Sequence, residues 1–439
     1  MLPVIALVGR PNVGKSTLFN YLTRTRDALV LDMPGVTRDR QYGQGKVGDT
    51  PYIVIDTGGL AEPDNPVMTQ MTDPQVMMAM EEATVVLFML DAQDGITSAD
   101  QDIANMLRRQ YSDKVKVVIN KSDREDVTSV IAESYQLGLG GAIAIAATIG
   151  RGIADMVADL FEDIGIEDTP VVDVEGTGVA IVGRPNVGKS TLINRLLGED
   201  RVVVLDYPGT TRDSIDIPLE RNGNKYTFID TAGVRRRAKV SETVETFSII
   251  KTLQAMQRAD VVVVVIDSRD GLTEQDLKLI GRVYEMGKGL IVAANKWDGM
   301  DEYSKDQVTQ ALDRKLTFVS FARRYNISAL HGTGVGNLFK AIDEIVESCA
   351  QDMPTAKLTK ALEKAVQMHQ PPLSKGRRIK CRYAHLGGRF PLVIVIHGKQ
   401  VCAMPDAYKR YLSNHFRQTF GLKGLAVKIE LKDDHNPFV

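Results

Sequence analysis

The octapeptide Gly9-Arg10-Pro11-Asn12-Val13-Gly14-Lys15-Ser16 recurs letter for letter as Gly183-Arg184-Pro185-Asn186-Val187-Gly188-Lys189-Ser190. Glycines at this spacing let backbone N–H groups converge on phosphate oxygens, and a helix beginning at the lysine adds its positive N-terminus. Lys15 and Lys189 then reach the β- and γ-phosphates of a nucleotide, while the hydroxyls of Ser16 and Ser190 suit Mg²⁺. Further along, Asp56-Thr57-Gly58-Gly59 is followed by Leu60, and Asp230-Thr231-Ala232-Gly233 by Val234. An aspartate there serves the Mg²⁺ side of the site, and the glycine can offer a backbone N–H to the γ-phosphate. Thr37 and Thr211 lie in Pro-Gly loops able to order over the γ-phosphate and Mg²⁺ and to release after hydrolysis.

A third pair of motifs selects the base. Asn120-Lys121-Ser122-Asp123 reappears as Asn295-Lys296-Trp297-Asp298. The carboxylates of Asp123 and Asp298 can accept from guanine N1–H and from its 2-amino group. Adenine lacks that amino group, and a site built to be filled this way discriminates by about 10⁴–10⁵. Asn120 and Asn295 support the loop and base, and the stems of Lys121 and Lys296 cover the ring. Ala146-Ala147-Thr148 and Ser328-Ala329-Leu330 are placed to direct a backbone N–H at guanine O6.

The elements that must hold these residues follow from the same repeat. The motifs recur in one order at offsets of 174 or 175 residues, which signifies a duplicated domain. In the first copy Val4–Val8, Tyr52–Ile55, Val85–Leu90, Val115–Ile119 and Ala142–Ala146 read as short buried strands. In the second, Gly178–Val182, Tyr226–Ile229, Val261–Ile266, Leu290–Ala294 and Tyr325–Ile327 do so. Continuous apolar runs alternating with helical patterns predict an α/β class, doubly wound with a mostly parallel sheet, whose ligands sit at the carboxyl ends of strands. The first copy is expected over residues 1–164 and the second over 178–350, joined by a short acidic linker at 165–177. Past Pro354 a helical stripe (Leu358, Ala361, Leu362, Ala365, Val366) precedes strands at Arg378–Tyr383 and Leu392–Ile396. A helix at Asp406–Arg417 and a strand at Ala426–Leu431 complete an αββαβ domain, expected over 351–439. Prolines at 63, 66 and 74 interrupt the first switch region, whereas the second carries Arg235, Arg236, Arg237 and Lys239 before a helical stretch from Thr243 to Gln257.

With 439 residues, 44% hydrophobic and 25% charged, the chain has the composition of a globular protein of several domains. Its longest apolar run, Val261 to Ile266, is far short of the ~20 residues of a membrane helix. The N-terminus has no basic leader and is not expected to be a signal peptide. Three cysteines without zinc spacing fit a reducing cytoplasm, and no metal or catalytic role is assigned to them or to the six histidines. The net charge of −2 conceals a segregation: residues 355–439 hold 16 Lys and Arg against 5 Asp and Glu. The rest of the chain has a deficit of 13, so the basic end suits a polyanion. The run Lys375-Gly-Arg-Arg-Ile-Lys-Cys-Arg382 is its densest part, whereas Gly421-Leu-Lys-Gly424 reads as a helix C-cap and turn.

The duplicated GRPNVGKS, PGxTRD, DTxG and NKxD set, followed by a basic α+β domain, resembles the EngA/Der family of bacterial ribosome-assembly GTPases over essentially the whole chain. The resemblance implies a KH-like third domain, GTP hydrolysis to GDP with Mg²⁺, and a part in maturing the large ribosomal subunit with rRNA as partner. A cytoplasmic monomer is expected, with no membrane and no DNA. Leu60 and Val234 stand where a Gln orients water in Ras-like enzymes. Either the sites hydrolyse GTP slowly, or Asn12 and Asn186 help bind K⁺, as the matching Asn does in relatives with an aliphatic residue there. Two other functions compete: an adaptor for proteins or a membrane, and an RNA-modifying enzyme. Against the latter, the third domain shows no nucleophile–base pair and no metal cluster.

Overall fold

The computed structural model describes residues 3–24, 41–48, 50–57, 74–123, 127–164, 176–198, 202–204, 216–229, 249–373 and 378–433. Chain contacts divide the protein into two units, Met1–Pro170 and Val171–Val439. Each is built around a sheet whose middle strands are largely apolar and mostly buried, with Asp91, Asn120, Asp267 and Asn295 as polar ends.

In the first unit β1 (Val4–Val8), β3 (Ile53–Asp56), β4 (Val85–Asp91), β5 (Val115–Asn120) and β6 (Ala142–Ala144) run parallel, and β2 (Gln41–Gln44) closes one edge antiparallel to β3. The order β2-β3-β1-β4-β5-β6 reverses direction of growth beside β1, the position where doubly wound sheets open a crevice for ligands. The helices α1 (Lys15–Thr23), α2 (Pro74–Glu82), α3 (Ser98–Gln110), α4 (Thr128–Ser134) and α5 (Ile153–Asp163) connect or flank these strands. β1 and β4 are buried at every residue, which explains why their apolar character does not alternate.

The second unit repeats this plan and then extends it. Its larger sheet comprises β7 (Thr177–Val182), β8 (Val202–Val204), β9 (Ile217–Arg221), β10 (Asn224–Ile229), β11 (Val261–Asp267), β12 (Gly289–Asn295) and β13 (Arg323–Asn326), in the order β13-β12-β11-β7-β10-β9-β8. The helices α6 (Lys189–Leu197), α7 (Ile249–Arg258), α8 (Glu274–Met286), α9 (Glu302–Lys315) and α10 (Gly336–Ala350) accompany it. β8 and β9, like β2, are short antiparallel additions at an edge, and they were not among the strands expected from the sequence.

The remainder is the αββαβ segment: α11 (Thr355–Met368), β14 (Lys380–Gly388), β15 (Leu392–Lys399), α12 (Asp406–Phe420) and β16 (Val427–Asp433). β14 pairs antiparallel and β16 parallel to the central β15. Leu358, Leu362, Ile394, Ile396, Leu412 and Phe416 fill the layer between helices and sheet, in one apolar cluster that continues into Ile345 and Leu338 of α10. Polar contacts seal the same joint. Leu290 N–H donates to Gly424 O (2.8 Å), and Arg389 donates to the carbonyls of Cys349 (2.7 Å) and Gln351 (3.1 Å). The Arg417 guanidinium lies 4.4 Å from the centre of the Phe321 ring. Gly421, in the left-handed region at φ 63°, ends α12, and a Cβ on Gly424 would fall 2.5 Å from Ile345. Gly421-Leu-Lys-Gly424 is therefore a helix terminus and a tight joint. No helix among the described residues is long and apolar enough to cross a membrane.

Candidate functional site: two nucleotide pockets

Each phosphate loop joins the first strand of its sheet to a helix that starts at the motif lysine. Gly9 allows the loop to pass under β4, because a Cβ there would sit 2.5 Å from the Met89 carbonyl oxygen; Gly183 is equally close (2.4 Å) to Val265 O. The loop is anchored from below by Val13 and Val187, both core residues, while Asn12 and Asn186 stay exposed at φ 67° and 62°. Gly14 and Gly188 cap α1 and α6 without any side-chain hydrogen bond, and no acidic residue lies in either first turn. In contrast α3 and α8, which start nearby, carry complete capping boxes from Thr97–Asp100 and Thr273–Asp276. The uncapped N–H groups of α1 and α6 and their positive dipoles are thereby left for an anion.

Lys15 is almost wholly buried and donates to the carbonyls of Gly9 (2.6 Å) and Arg10 (2.7 Å); Lys189 donates to Arg184 O (2.7 Å). Burial lowers the Lys15 ammonium to about 8, against the opposing pull of the Asp56 charge. The Ser16 hydroxyl donates to an oxygen of the buried Asp56 at 2.7 Å, bringing two hard oxygen ligands together at the start of α1. Among the described residues there is no cluster of three or more metal-ligating side chains. Mg²⁺ requires none here, since it typically takes one or two protein oxygens and completes its shell with water and phosphate. The donor set fits. Thr37, Gly58, Gly59, Leu60, Thr211, Asp230, Thr231, Ala232, Gly233 and Val234 lie outside the described residues.

The guanine motifs are tied to the phosphate loops by one side chain in each copy. Asn120 donates to Val13 O (2.9 Å) and accepts from Ala147 N–H (3.0 Å); Asn295 does the same with Val187 O (2.8 Å) and Ala329 N–H (2.9 Å). One amide thus links three loops that are far apart in sequence. Lys121 and Lys296, at φ 65° and 63°, pair with Asp91 and Asp267 at the ends of β4 and β11, and Lys296 also reaches Asn186 O at 2.8 Å. Ser122 and Trp297 use their backbone N–H on Ile145 O (3.1 Å) and Ile327 O (3.2 Å), setting the turn that presents Asp123 and Asp298. Asp298 is held below the usual carboxylate range, chiefly by a hydrogen bond from the Ser328 side chain and also by the charges of His331 and Arg269. Its carboxylate lies 3.5 Å from His331 Nε2.

Some side chains named from sequence point elsewhere. Arg10 pairs with Asp94 (2.8 Å) and Asp100 (3.3 Å), and Arg184 with Asp270 (3.2 Å) and Asp276 (3.1 Å). These arginines brace the phosphate loop against the capping boxes, so their guanidinium groups face away from the phosphate cradle. The Thr57 hydroxyl donates to Leu7 O (2.6 Å) and fastens β3 to β1. Pro11 and Pro185 have no polar side chain to contribute and only shape the loop. Asp91, Asp267, Asp100 and Asp276 were not legible as site residues. A strand-end aspartate and a helix-capping aspartate are common features, and their partners come from other motifs.

Two phosphate loops and two guanine motifs, assembled at the carboxyl ends of parallel sheets, define a P-loop GTPase with two nucleotide pockets. The comparisons with known proteins agree. The model described as 50S ribosome-binding GTPase matches residues 4–121 and 178–296, and the KH-domain-like C-terminal model of EngA bacterial GTPase enzymes matches 353–432. GTPase Der of Coxiella burnetii (strain Dugway 5J108-111) is 54% identical over 438 residues, covering 100% of this chain and 99% of that protein. GTPase Der of Pseudoalteromonas translucida is 52% identical, covering 100% and 95%. A solved structure of Aquifex aeolicus Era bound to GDP and AlF₄⁻ is 22% identical with a TM-score of 0.32, covering 64% of this chain and 99% of that one, a likeness too low to add to the assignment. The chain belongs to the EngA/Der family of GTPases, and it binds and hydrolyses GTP.

Proposed function

We propose that the chain hydrolyses GTP at both pockets with Mg²⁺ and acts, in the cytoplasm and as a monomer, in maturation of the large ribosomal subunit. In this reading the third domain contacts rRNA. The observation that carries it is the joint in the second unit. β12 begins against the basic third domain, where Leu290 bonds Gly424, and ends at Asn295, from which the guanine motif starts. Occupancy of the second pocket and the pose of the basic domain therefore bear on one strand. The family model's ribosome-binding description and the charge surplus of residues 355–439 support the same reading.

Within each pocket the loop N–H groups hold the phosphates, and Lys15 or Lys189 gives up its carbonyl partners to pair with the β- and γ-oxygens. Ser16 with Asp56, and Ser190 with Asp230, would hold Mg²⁺, which neutralises charge developing on the phosphates. Thr37 and Thr211 would close over it. Asp123 and Asp298 read the base, and Asn12 and Asn186 stand at the loop edge where their amide oxygens would hold K⁺. The test of the ribosomal role is co-sedimentation with large subunits. Retention in GMP-PNP above that in GDP is expected, and no retention in either nucleotide overturns the reading.

A further inference from the structure

The outer face of the third domain's sheet, opposite α11 and α12, carries rings and lysines in an order that a purely structural surface does not need. Ala384, Ile394 and Ile396 point inward to the helices. The intervening residues therefore share the other side: Tyr383 and His385 on β14, the buried Val393 and Val395 and the half-buried His397 on β15, and Lys428, Glu430 and Lys432 on β16. Tyr383 and His397 are direct cross-strand partners, and their rings lie 4.5 Å apart and within 5° of parallel. His385 lies against both rings, 5.1 Å from His397 and 6.2 Å from Tyr383. Tyr383 nevertheless remains 40% exposed.

The charges around the rings are the second observation. Lys380 and Lys399 are register partners across β14 and β15, both exposed, immediately beyond the Tyr383–His397 pair. Like charges directly opposite one another destabilise a sheet. Lys432 pairs with His397 from the other side, so three ammonium groups flank the ring array. The register slips between Cys381 and Tyr383, and this slip keeps both Lys380 and Tyr383 on the outer face. A polyanion whose repeating unit alternates a flat ring with a negative charge would relieve the Lys380–Lys399 repulsion and extend the stack at once.

We propose that this face is a stacking platform for unpaired RNA bases, with Tyr383, His385 and His397 receiving bases and Lys380, Lys399 and Lys432 the adjoining phosphates. The assignment rests on the RNA-contact reading above and specifies its chemistry. A duplex hides the faces of its bases, so this surface discriminates against it, whereas unpaired bases stack on aromatic side chains whatever their sequence.

The experiment uses the full chain with GDP and two fluorescent probes, a mixed-sequence single-stranded RNA 12-mer and its duplex, followed by anisotropy over a range of salt. The single strand is expected to bind more tightly than the duplex. Tyr383→Ala should weaken it about 5- to 150-fold, the worth of one stacked base, with an unchanged salt slope. Tyr383→Phe, which keeps the ring, should bind like the parent and so guards against a fold defect. Lys380→Ala with Lys399→Ala should instead flatten the log–log salt slope by about 1.4, two single-strand phosphates. Equal binding of single strand and duplex, or a Tyr383→Ala protein that binds as the parent does, overturns the platform while leaving RNA contact intact. Failure of the parent to bind the probes or ribosomal RNA removes the RNA reading and the platform together.

Discussion

Replacing Asn295 by alanine tests whether the second pocket is assembled as its hydrogen bonds imply. The side chain is 2% exposed and joins the phosphate loop at Val187 O (2.8 Å) to the loop after β13 at Ala329 N–H (2.9 Å). The substitution leaves a buried carbonyl and a buried N–H unpaired, each costing about 1–3 kcal/mol. Water entering the polar gap brings the total toward the lower limit, ~2 kcal/mol. Nucleotide binding must re-form these loops, so most of the loss should appear as affinity, about 30-fold in Kd for GDP. The assay is titration with a fluorescent GDP analogue in a Lys15→Ala background, which leaves the second pocket as the reporter. Gly188→Ala probes the same bond from the other side, because its Cβ would lie 2.4 Å from Asn295 Nδ2 at a φ of +97°. The two changes attack one contact, and their effects should fall short of additive. An Asn295→Ala protein whose Kd is within threefold of its parent, or strict additivity with Gly188→Ala, refutes the reasoning. Asn120, with bonds of 2.9 and 3.0 Å, provides the replicate in the first pocket.

Calorimetry should find two guanine nucleotides per chain, with Lys15→Ala and Lys189→Ala each removing one. Asp298→Asn, which replaces an acceptor by a mixed amide, should move the second pocket toward xanthine nucleotides; retained preference for GDP there contradicts the base-reading role. Exchange of K⁺ for Na⁺ should lower kcat by about tenfold, well below the 10³–10⁵ of an arginine finger, and Asn12→Ala or Asn186→Ala should abolish the difference in its own pocket. Equal turnover in both salts would leave the catalytic group to a partner. Burial raises the Cys349 thiol to about 12, and that thiol donates to Arg389 O across the joint, whereas Cys402 is exposed. A thiol reagent should therefore modify Cys402 quickly and Cys349 only when the joint opens. Arg389→Ala should speed Cys349 labelling at least about tenfold, since it loses two charged hydrogen bonds, to Cys349 O and Gln351 O. Labelling of Cys349 in the parent as fast as Cys402 would mean the joint is not closed.

Chemistry specific enough to dictate residue type was legible in the sequence. A loop able to wrap phosphate needs glycines and a lysine at fixed spacing, as at Gly9, Gly14 and Lys15, and the guanine-reading role proposed for Asp298 needs a carboxylate there. The buried parallel strands were legible too, to within a few residues, because burial on both faces demands unbroken apolar runs such as Val261–Ile266. The edge strands β2, β8 and β9 were not. Gln41-Tyr-Gly-Gln44 has no periodicity of its own and is a strand only because β3 offers it an open edge. Nor could local spacing show that Arg10 is engaged by Asp94 and Asp100, or that one asparagine joins three loops. The third domain makes the point most clearly. Its helices and strands were evident in order, yet only tertiary packing merges its core with α10 and sets Leu290 against Gly424. The Lys380–Lys399 opposition and the ring array likewise depend on a register with a slip at Arg382. Residue type records what a ligand or a core requires locally, whereas pairing between distant segments is settled by the free energy of the whole fold.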